Sequence, residues 1–397
     1  MVINTYKIKN INITSIYNQF IMSQFVISSE KLQLLNQIND RLNINKNPNK
    51  KLIFVYTPPK VGSTSIVSSL RIFGSEMFNI IHIHDEEMLR IFSNISGITV
   101  NEIIQFNKHL GRDVYVIDVY RSPIERKISA YFEKVGVYHF NTSDENVNNY
   151  NINKVINRFN KIFPHIANGD HFMDVYNIPL PVIFNFKTKY LLQEHNGIKY
   201  IKLRLKDSNI WSDILTNIFG KKICSIKDYE STNKPIKELY IKFKESYKIP
   251  FNFLSEITNC RYLNYYYSPS EIQEYINQWT QKISPEFIPY TENEYKMYEE
   301  LTLENAHLDY IQINHYIDEG CLCKACFIKR QQMSTQIING QQITDRVIHS
   351  EAKNELIVKR VEKANYINKH NASLQPIIRG GRKDFKSEMN NIVRSHR

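Results

Sequence analysis

Apolar positions along this chain switch repeatedly between unbroken runs and a helical period, and the switches mark its elements. Leu52–Tyr56 is a continuous apolar run rich in β-branched and aromatic side chains, the pattern of a strand buried on both faces. Pro58 and Pro59 end it, and Ile66, Val67 and Leu70 then recur at helical spacing. The alternation repeats. Phe78–Asp85 predicts a second strand ending in polar residues, 86–94 and 100–110 predict helices, and Gly111 closes the second of these. Val114–Tyr120 predicts a third, strongly apolar strand that runs into a turn at Arg121 and a further helix. Strands alternating with helices predict an α/β fold, a parallel sheet covered on both faces. Ligands of such sheets sit beyond the carboxyl ends of the strands, so the polar residues after each strand should converge on one crevice.

Elsewhere the pattern is weaker. Ser29–Leu42 reads as an amphipathic helix capped by Ser29. Residues 141–178 are Asn-rich and polar, in the manner of a lid or acceptor loop with some helix. Pro181–Phe186 reads as a strand or buried segment, and the clean alternation of Lys199–Lys206 predicts a strand. Ile210–Phe219 predicts a helix closed by Gly220, and Ile236–Tyr247 an amphipathic helix with a basic face. Ser268-Pro269-Ser270-Glu271 predicts the capped start of a helix over Ile272–Trp279. The predicted organisation is an N-terminal extension with a helix over 1–49, an α/β domain over 50–282, and a mainly helical, Cys-containing region with a basic tail over 283–397.

Composition narrows the partners. At 397 residues and 42% hydrophobic content the chain can bury a sizeable core and carry an appendage. The 51 Lys and Arg against 40 Asp and Glu leave +11, spread along the chain, which favours polyanionic or phosphorylated partners in general. No apolar segment reaches the roughly 18–20 residues that span a bilayer, and the N-terminus has no compact apolar region with a cleavage site. A cytoplasmic location without a membrane span is the expectation. Five cysteines without scaffold-like spacing fit a reducing compartment.

The first chemistry lies in Pro59-Lys60-Val61-Gly62-Ser63-Thr64-Ser65. A strand, a small-residue turn and a helix N-terminus together make an anion site, because the first helical N–H groups are unpaired and the dipole is positive there. Gly62 lets the backbone approach an anion closely, Ser63 and Thr64 add hydroxyl donors, and Lys60 adds a mobile charge. The second cluster is Arg121-Ser122-Pro123, with Ser129 eight residues after the Arg. The third is His82-Ile83-His84, whose two imidazoles share a strand face.

Taken together these clusters resemble the sulfotransferases that use 3′-phosphoadenosine 5′-phosphosulfate (PAPS). That family carries a Pro-Lys-x-Gly-(Ser/Thr)-(Ser/Thr) loop for the 5′-phosphosulfate and an Arg-(Asp/x)-Pro with a Ser eight residues on for the 3′-phosphate. The Arg121–Tyr131 stretch is especially similar to the carbohydrate sulfotransferases, with Ser122 in place of the Asp. Weaker similarity through 203–271 is to proteins of capsular polysaccharide synthesis, and the whole resemblance covers about residues 50–282. It implies a P-loop-type sheet, PAPS as donor with PAP (3′,5′-diphosphoadenosine) as product, a carbohydrate or other hydroxyl-bearing acceptor, and no metal. It implies that Lys60 stabilises the leaving phosphate and that Val61, Gly62, Ser63, Thr64 and Ser65 hold the 5′-phosphate. Arg121 and Ser129 would hold the 3′-phosphate, and a strand-end histidine would be the general base. His84 occupies that place best, and His82 is the alternative.

Other polar residues have plainer readings. Asp85, Glu86 and Glu87 complement a helix dipole, and His109 is a solvated helix-end residue. Cys321, Cys323 and Cys326 with His315 are either a zinc site or reduced thiols. Arg379–Lys386 is either a basic tail or the counterpart of a nucleotide-closing loop. Two other functions remain open at this point. A kinase or NTPase would need Lys after the last glycine, whereas Lys60 precedes Gly62, and Asp118 lies inside its strand rather than at the end. A non-catalytic PAP- or polyanion-binding protein could keep the fold, but the basic charge forms no clustered stripe and nucleic acid is a weak candidate.

Overall fold

The computed structural model describes residues 28–139, 147–226 and 236–303. Its frame is a sheet of β1 (Lys51–Tyr56), β2 (Phe78–Ile83), β3 (Val114–Tyr120), β4 (Tyr190–His195) and β5 (Ile198–Arg204), in the order β2-β1-β3-β5-β4. β1, β2, β3 and β5 are parallel, and β4 pairs antiparallel with β5 at one edge. The helices that matter for the site are α1 (Ser29–Arg41), α2 (Ser63–Gly74), α3 (Glu86–Ser93), α4 (Val100–His109), α5 (Pro123–Glu133) and α6 (Ile152–Ile162). After the sheet come α7 (Trp211–Phe219), α8 (Lys237–Ser246), α9 (Phe251–Thr258), α10 (Pro269–Thr280) and α11 (Glu292–Leu303).

The apolar run of β1 is continuous because both its faces are covered. Ile53 and Val55 join a core with Val67, Leu70 and Trp211, while Leu52, Phe54 and Tyr56 join a larger one with Ile83, Val116 and Ile124. Each such side chain removed from water contributes about 1.5–3 kcal/mol, so the central strands are firmly held. Capping chemistry sets the helix starts. Thr99 with Glu102 opens α4 and Ser268 with Glu271 opens α10, each as a reciprocal capping box.

One charged cluster lies wholly inside. Asp118 of β3 faces Lys202 of β5 across the parallel register, with Asp118 Oδ2 2.7 Å from Lys202 Nζ. Lys202 also pairs with Asp170, whose other oxygen accepts from the Tyr266 hydroxyl at 2.7 Å. Asp118 accepts the amides of Val119 (2.7 Å) and Phe172 (3.0 Å) as well. Burial pushes the Asp118 carboxyl up to about 7 despite the Lys202 ammonium beside it. The cluster ties the 170–174 segment to the sheet, next to the strand ends that carry the candidate chemistry.

Several expectations change at this level. The cap of α1 is Ser28, which accepts from the Lys31 amide at 3.2 Å, rather than Ser29. Pro181–Phe186 forms no strand: Val182 and Ile183 are 99% and 67% exposed, while Phe184 is buried beneath the Arg204 guanidinium and Phe186 packs partly buried beside it. β4 was not anticipated, because Tyr190–His195 lacks a clean alternation. Its turn was written in the sequence nonetheless, since Asn196 (φ 50°) and Gly197 (φ 73°) take the left-handed pair that a two-residue hairpin needs. The strand expected over 199–206 ends at Arg204, where Leu205–Ile210 coils into a short 3₁₀ segment leading to α7.

Of the region expected to be mainly helical beyond 283, α11 is described; the Tyr298 hydroxyl donates to the Tyr138 carbonyl and Tyr295 stacks on His165 at 4.5 Å. Cys321, Cys323, Cys326, His315 and the Arg379–Lys386 tail lie outside the described residues. Among the described residues no helix is long and apolar enough to cross a membrane.

Candidate functional site

β1 ends in a turn that sequence and sterics shape together. The Thr57 amide donates to the Ile83 carbonyl at 3.2 Å, which carries the pairing with β2 one residue past the end of β1. Lys60 then takes a left-handed conformation (φ 67°) and Gly62 another (φ 91°) as the N-cap of α2. A Cβ on Gly62 would lie 2.8 Å from Leu205 Cδ1 and 3.4 Å from Trp211, so both backbone angle and space demand glycine. Gly62 offers no side-chain cap to α2, which opens the helix on backbone N–H groups with a positive dipole end. Val61 is buried in the core, so only its backbone can serve a ligand; Ser63 is buried, and Thr64 and Ser65 are half-buried at the helix start.

Arg121, one residue past β3, reaches this turn. Its Nη1 donates to the Lys60 carbonyl at 3.0 Å, which joins the first two sequence clusters directly. Burial pulls its pKa below the ordinary guanidinium value, opposed by the nearby Tyr240 hydroxyl of α8 and by Glu125. Lys60 Nζ pairs with Glu133 at the end of α5 at 2.8 Å, and its side chain is largely covered. Ser129 is buried within α5, the helix that Arg121 leads into.

The two histidines lie side by side and differ in their hydrogen bonds. His84 Nδ1 lies 2.8 Å from the Thr57 carbonyl. A carbonyl can only accept, so Nδ1 carries the proton and neutral His84 presents its lone pair at Nε2. Burial lowers its pKa; the Thr57 bond and Asp85 resist this, while the charges of His171 and Lys60 add to it. His84 is therefore neutral at physiological pH, with the proton on Nδ1 and the lone pair on Nε2. His82 is buried, with Nε2 3.0 Å from Ser63 Oγ, and burial holds its pKa well below the ordinary value. The rings meet edge to face at 4.6 Å. The carboxylates nearby have structural duties: Asp85 caps α3 at the Met88 amide (2.7 Å), Glu86 accepts from Val100 N and the Tyr56 hydroxyl, and Glu87 pairs with Arg90. His109 bonds its own helix at the Gln105 carbonyl.

Three participants escaped the sequence reading. Glu133 holds Lys60, Tyr240 stands beside Arg121, and His171 Nε2 donates to the His84 carbonyl at 2.7 Å. Each lies far along the chain from its partner, and none belongs to a motif that a local pattern exposes. Among the described residues no group of His, Cys, Asp and Glu is arranged to hold a metal ion. Compared with known proteins, the chain matches no family model, no curated protein and no solved structure.

Proposed function

We propose that this chain is a sulfotransferase that moves a sulfuryl group from PAPS to a hydroxyl acceptor, a carbohydrate on the resemblance of its motifs. The observation that carries the reading is the Arg121–Lys60 contact at 3.0 Å, which puts a half-buried guanidinium against the glycine turn that opens α2. A ligand with phosphates at two ends matches two such anion sites. On this reading the β1 turn is of the P-loop type. The α2 amides and the Ser63 and Thr64 hydroxyls hold the 5′-phosphate, and Arg121 with Ser129 holds the 3′-phosphate. The S–O bond to the 5′-phosphate breaks as an acceptor oxygen bonds sulfur in line. His84 Nε2 takes the hydroxyl proton, and Lys60 stabilises the charge that develops on departing PAP.

The kinase or NTPase reading has less support. Asp118, the β3 carboxylate, is engaged by Lys202 and by the Val119 and Phe172 amides, away from any metal-ligating role.

Lys60→Ala should lower turnover by about 10²–10³-fold, the range for losing one donor aimed at developing charge, while PAP binds nearly as before. Single-turnover rates beside calorimetric PAP titrations check this. An equal loss in both would show that Lys60 only holds the nucleotide.

A further inference from the structure

We propose that β4, an open edge of the sheet, is where a second copy of this chain docks. The two β4 strands pair antiparallel about a two-fold axis at Leu192, so that one sheet runs through both copies. Such a dimer neither needs nor excludes the sulfotransferase chemistry. β4 is bonded on one side, to β5, in a register unbroken from Tyr190–Leu203 to His195–Ile198. The two-residue turn Asn196-Gly197 makes His195 and Ile198 a hydrogen-bonded pair, so Leu191, Gln193 and His195 turn their N–H and C=O groups to β5. Tyr190, Leu192 and Glu194 turn theirs outward. The Tyr190 carbonyl accepts from the Thr188 hydroxyl at 3.0 Å, while the outward groups of Leu192 and Glu194 have no partner among the described residues.

Proteins usually guard such an edge with a proline, a central lysine or a bulge. Tyr190–His195 has none of these. The edge is instead apolar on both faces. Leu192, 49% exposed, shares a face with its cross-strand neighbour Ile201, which belongs to the smaller core. Leu191 on the opposite face belongs to the larger core. On that face Gln193 Nε2 donates to the Pro179 carbonyl, which holds the 179–183 loop beside β4 with Leu180, Val182 and Ile183 exposed. A two-fold axis perpendicular to the sheet puts like faces of the two copies on the same side. Leu192 then meets Leu192 of the second copy on one face, and the two loops flank the seam on the other.

The charges of the strand fit its own reverse. Lys187 and Lys189 stand exposed just before β4 and Glu194 stands exposed near its end, each without an ion-pair partner among the described residues. Pairing centred on Leu192 sets Tyr190 opposite Glu194 of the second copy, with Lys189 next along the strand, and symmetry repeats the arrangement. A parallel pairing of the same strands would set lysine end against lysine end. A strand of any other protein would have to supply an acid at one end, a base at the other and an apolar centre. The second copy supplies all three.

Sedimentation velocity of the full chain over about 1–100 μM, the range of moderate dissociation constants, should show a monomer–dimer equilibrium. Leu192→Lys, at an exposed position, should weaken the dimer about tenfold or more while the circular dichroism of the folded chain stays unchanged. Lys189→Glu and Glu194→Lys should each weaken it about two- to tenfold, and the double variant should regain association, because the pair is then reversed. In the wild type, hydrogen exchange at the Leu192 and Glu194 amides should slow as concentration rises. A chain monomeric throughout would overturn the proposal, whether those amides exchange fast or are already slowed by another segment of the same chain. So would a dimer indifferent to Leu192→Lys, which would put the contact elsewhere.

Discussion

Replacing His84 by glutamine is expected to lower turnover by about 10²–10⁴-fold, the usual contribution of a positioned general base, with little change in PAP affinity. The expectation rests on tautomer geometry. With Nδ1–H fixed on the Thr57 carbonyl, Nε2 is the ring's free acceptor, and the carbonyl of His84 is itself held by His171. The folded environment lowers the pKa of His84, so the base is protonated only at pH values under the ordinary histidine value of about 6.5. The acid limb of kcat/KM should therefore fall below that pH, and His84→Gln should abolish it. His82→Gln serves as the control. His82 is buried against Ser63, so its loss should disturb the proposed 5′-phosphate cradle and raise KM more than it lowers kcat. If His82→Gln instead removes the acid limb and His84→Gln leaves it, the roles are reversed.

Lys202→Met is expected to cost about 3–5 kcal/mol of stability, because it leaves buried carboxylates without their cation. Methionine keeps much of the volume, so the loss reports charge rather than a cavity. The pH dependence has a definite sign. The Asp118 carboxyl is raised in the folded chain, to about 7, above its unfolded value. Its contribution to stability is therefore fully present below the unfolded pKa of about 4 and is lost as pH rises through about 7. Without Lys202 the pKa rises further, so the difference between wild type and variant should narrow as pH falls and Asp118 becomes neutral in both. Chemical denaturation at several pH values checks both points. A small loss that is flat with pH would show that the cluster is no more than space-filling.

Local pattern carried the sheet centre well. β3 spans the predicted residues, and the Gly62 turn and the Ser268–Glu271 capping box lie where their chemistry put them. These features are encoded by neighbours in sequence: period, turn residue, cap. The hairpin edge was less legible because Tyr190–His195 is half exposed and obeys no strict alternation. Least legible were contacts made by folding alone. Arg204 grips Glu271 (2.8 and 3.2 Å), and their bond anchors α10 to the end of β5, yet nothing in either segment names the other. The Asp118–Lys202–Asp170 cluster is likewise visible only once β3 and β5 are laid side by side. In the candidate site the same division holds: Lys60, Gly62, Arg121 and His84 belong to motifs, while Glu133, Tyr240 and His171 enter from elsewhere in the fold.

The proposed function requires a two-phosphate nucleotide that bridges the β1 turn and Arg121. Calorimetric titration of the full chain with PAP, beside ATP with Mg²⁺, reads this directly. PAP should bind without metal and more tightly than ATP–Mg²⁺, and Arg121→Ala should weaken PAP by about 2–5 kcal/mol, the cost of removing one partner from a buried charge pair. Binding of ATP–Mg²⁺ with none of PAP, or PAP affinity indifferent to Arg121, would contradict it.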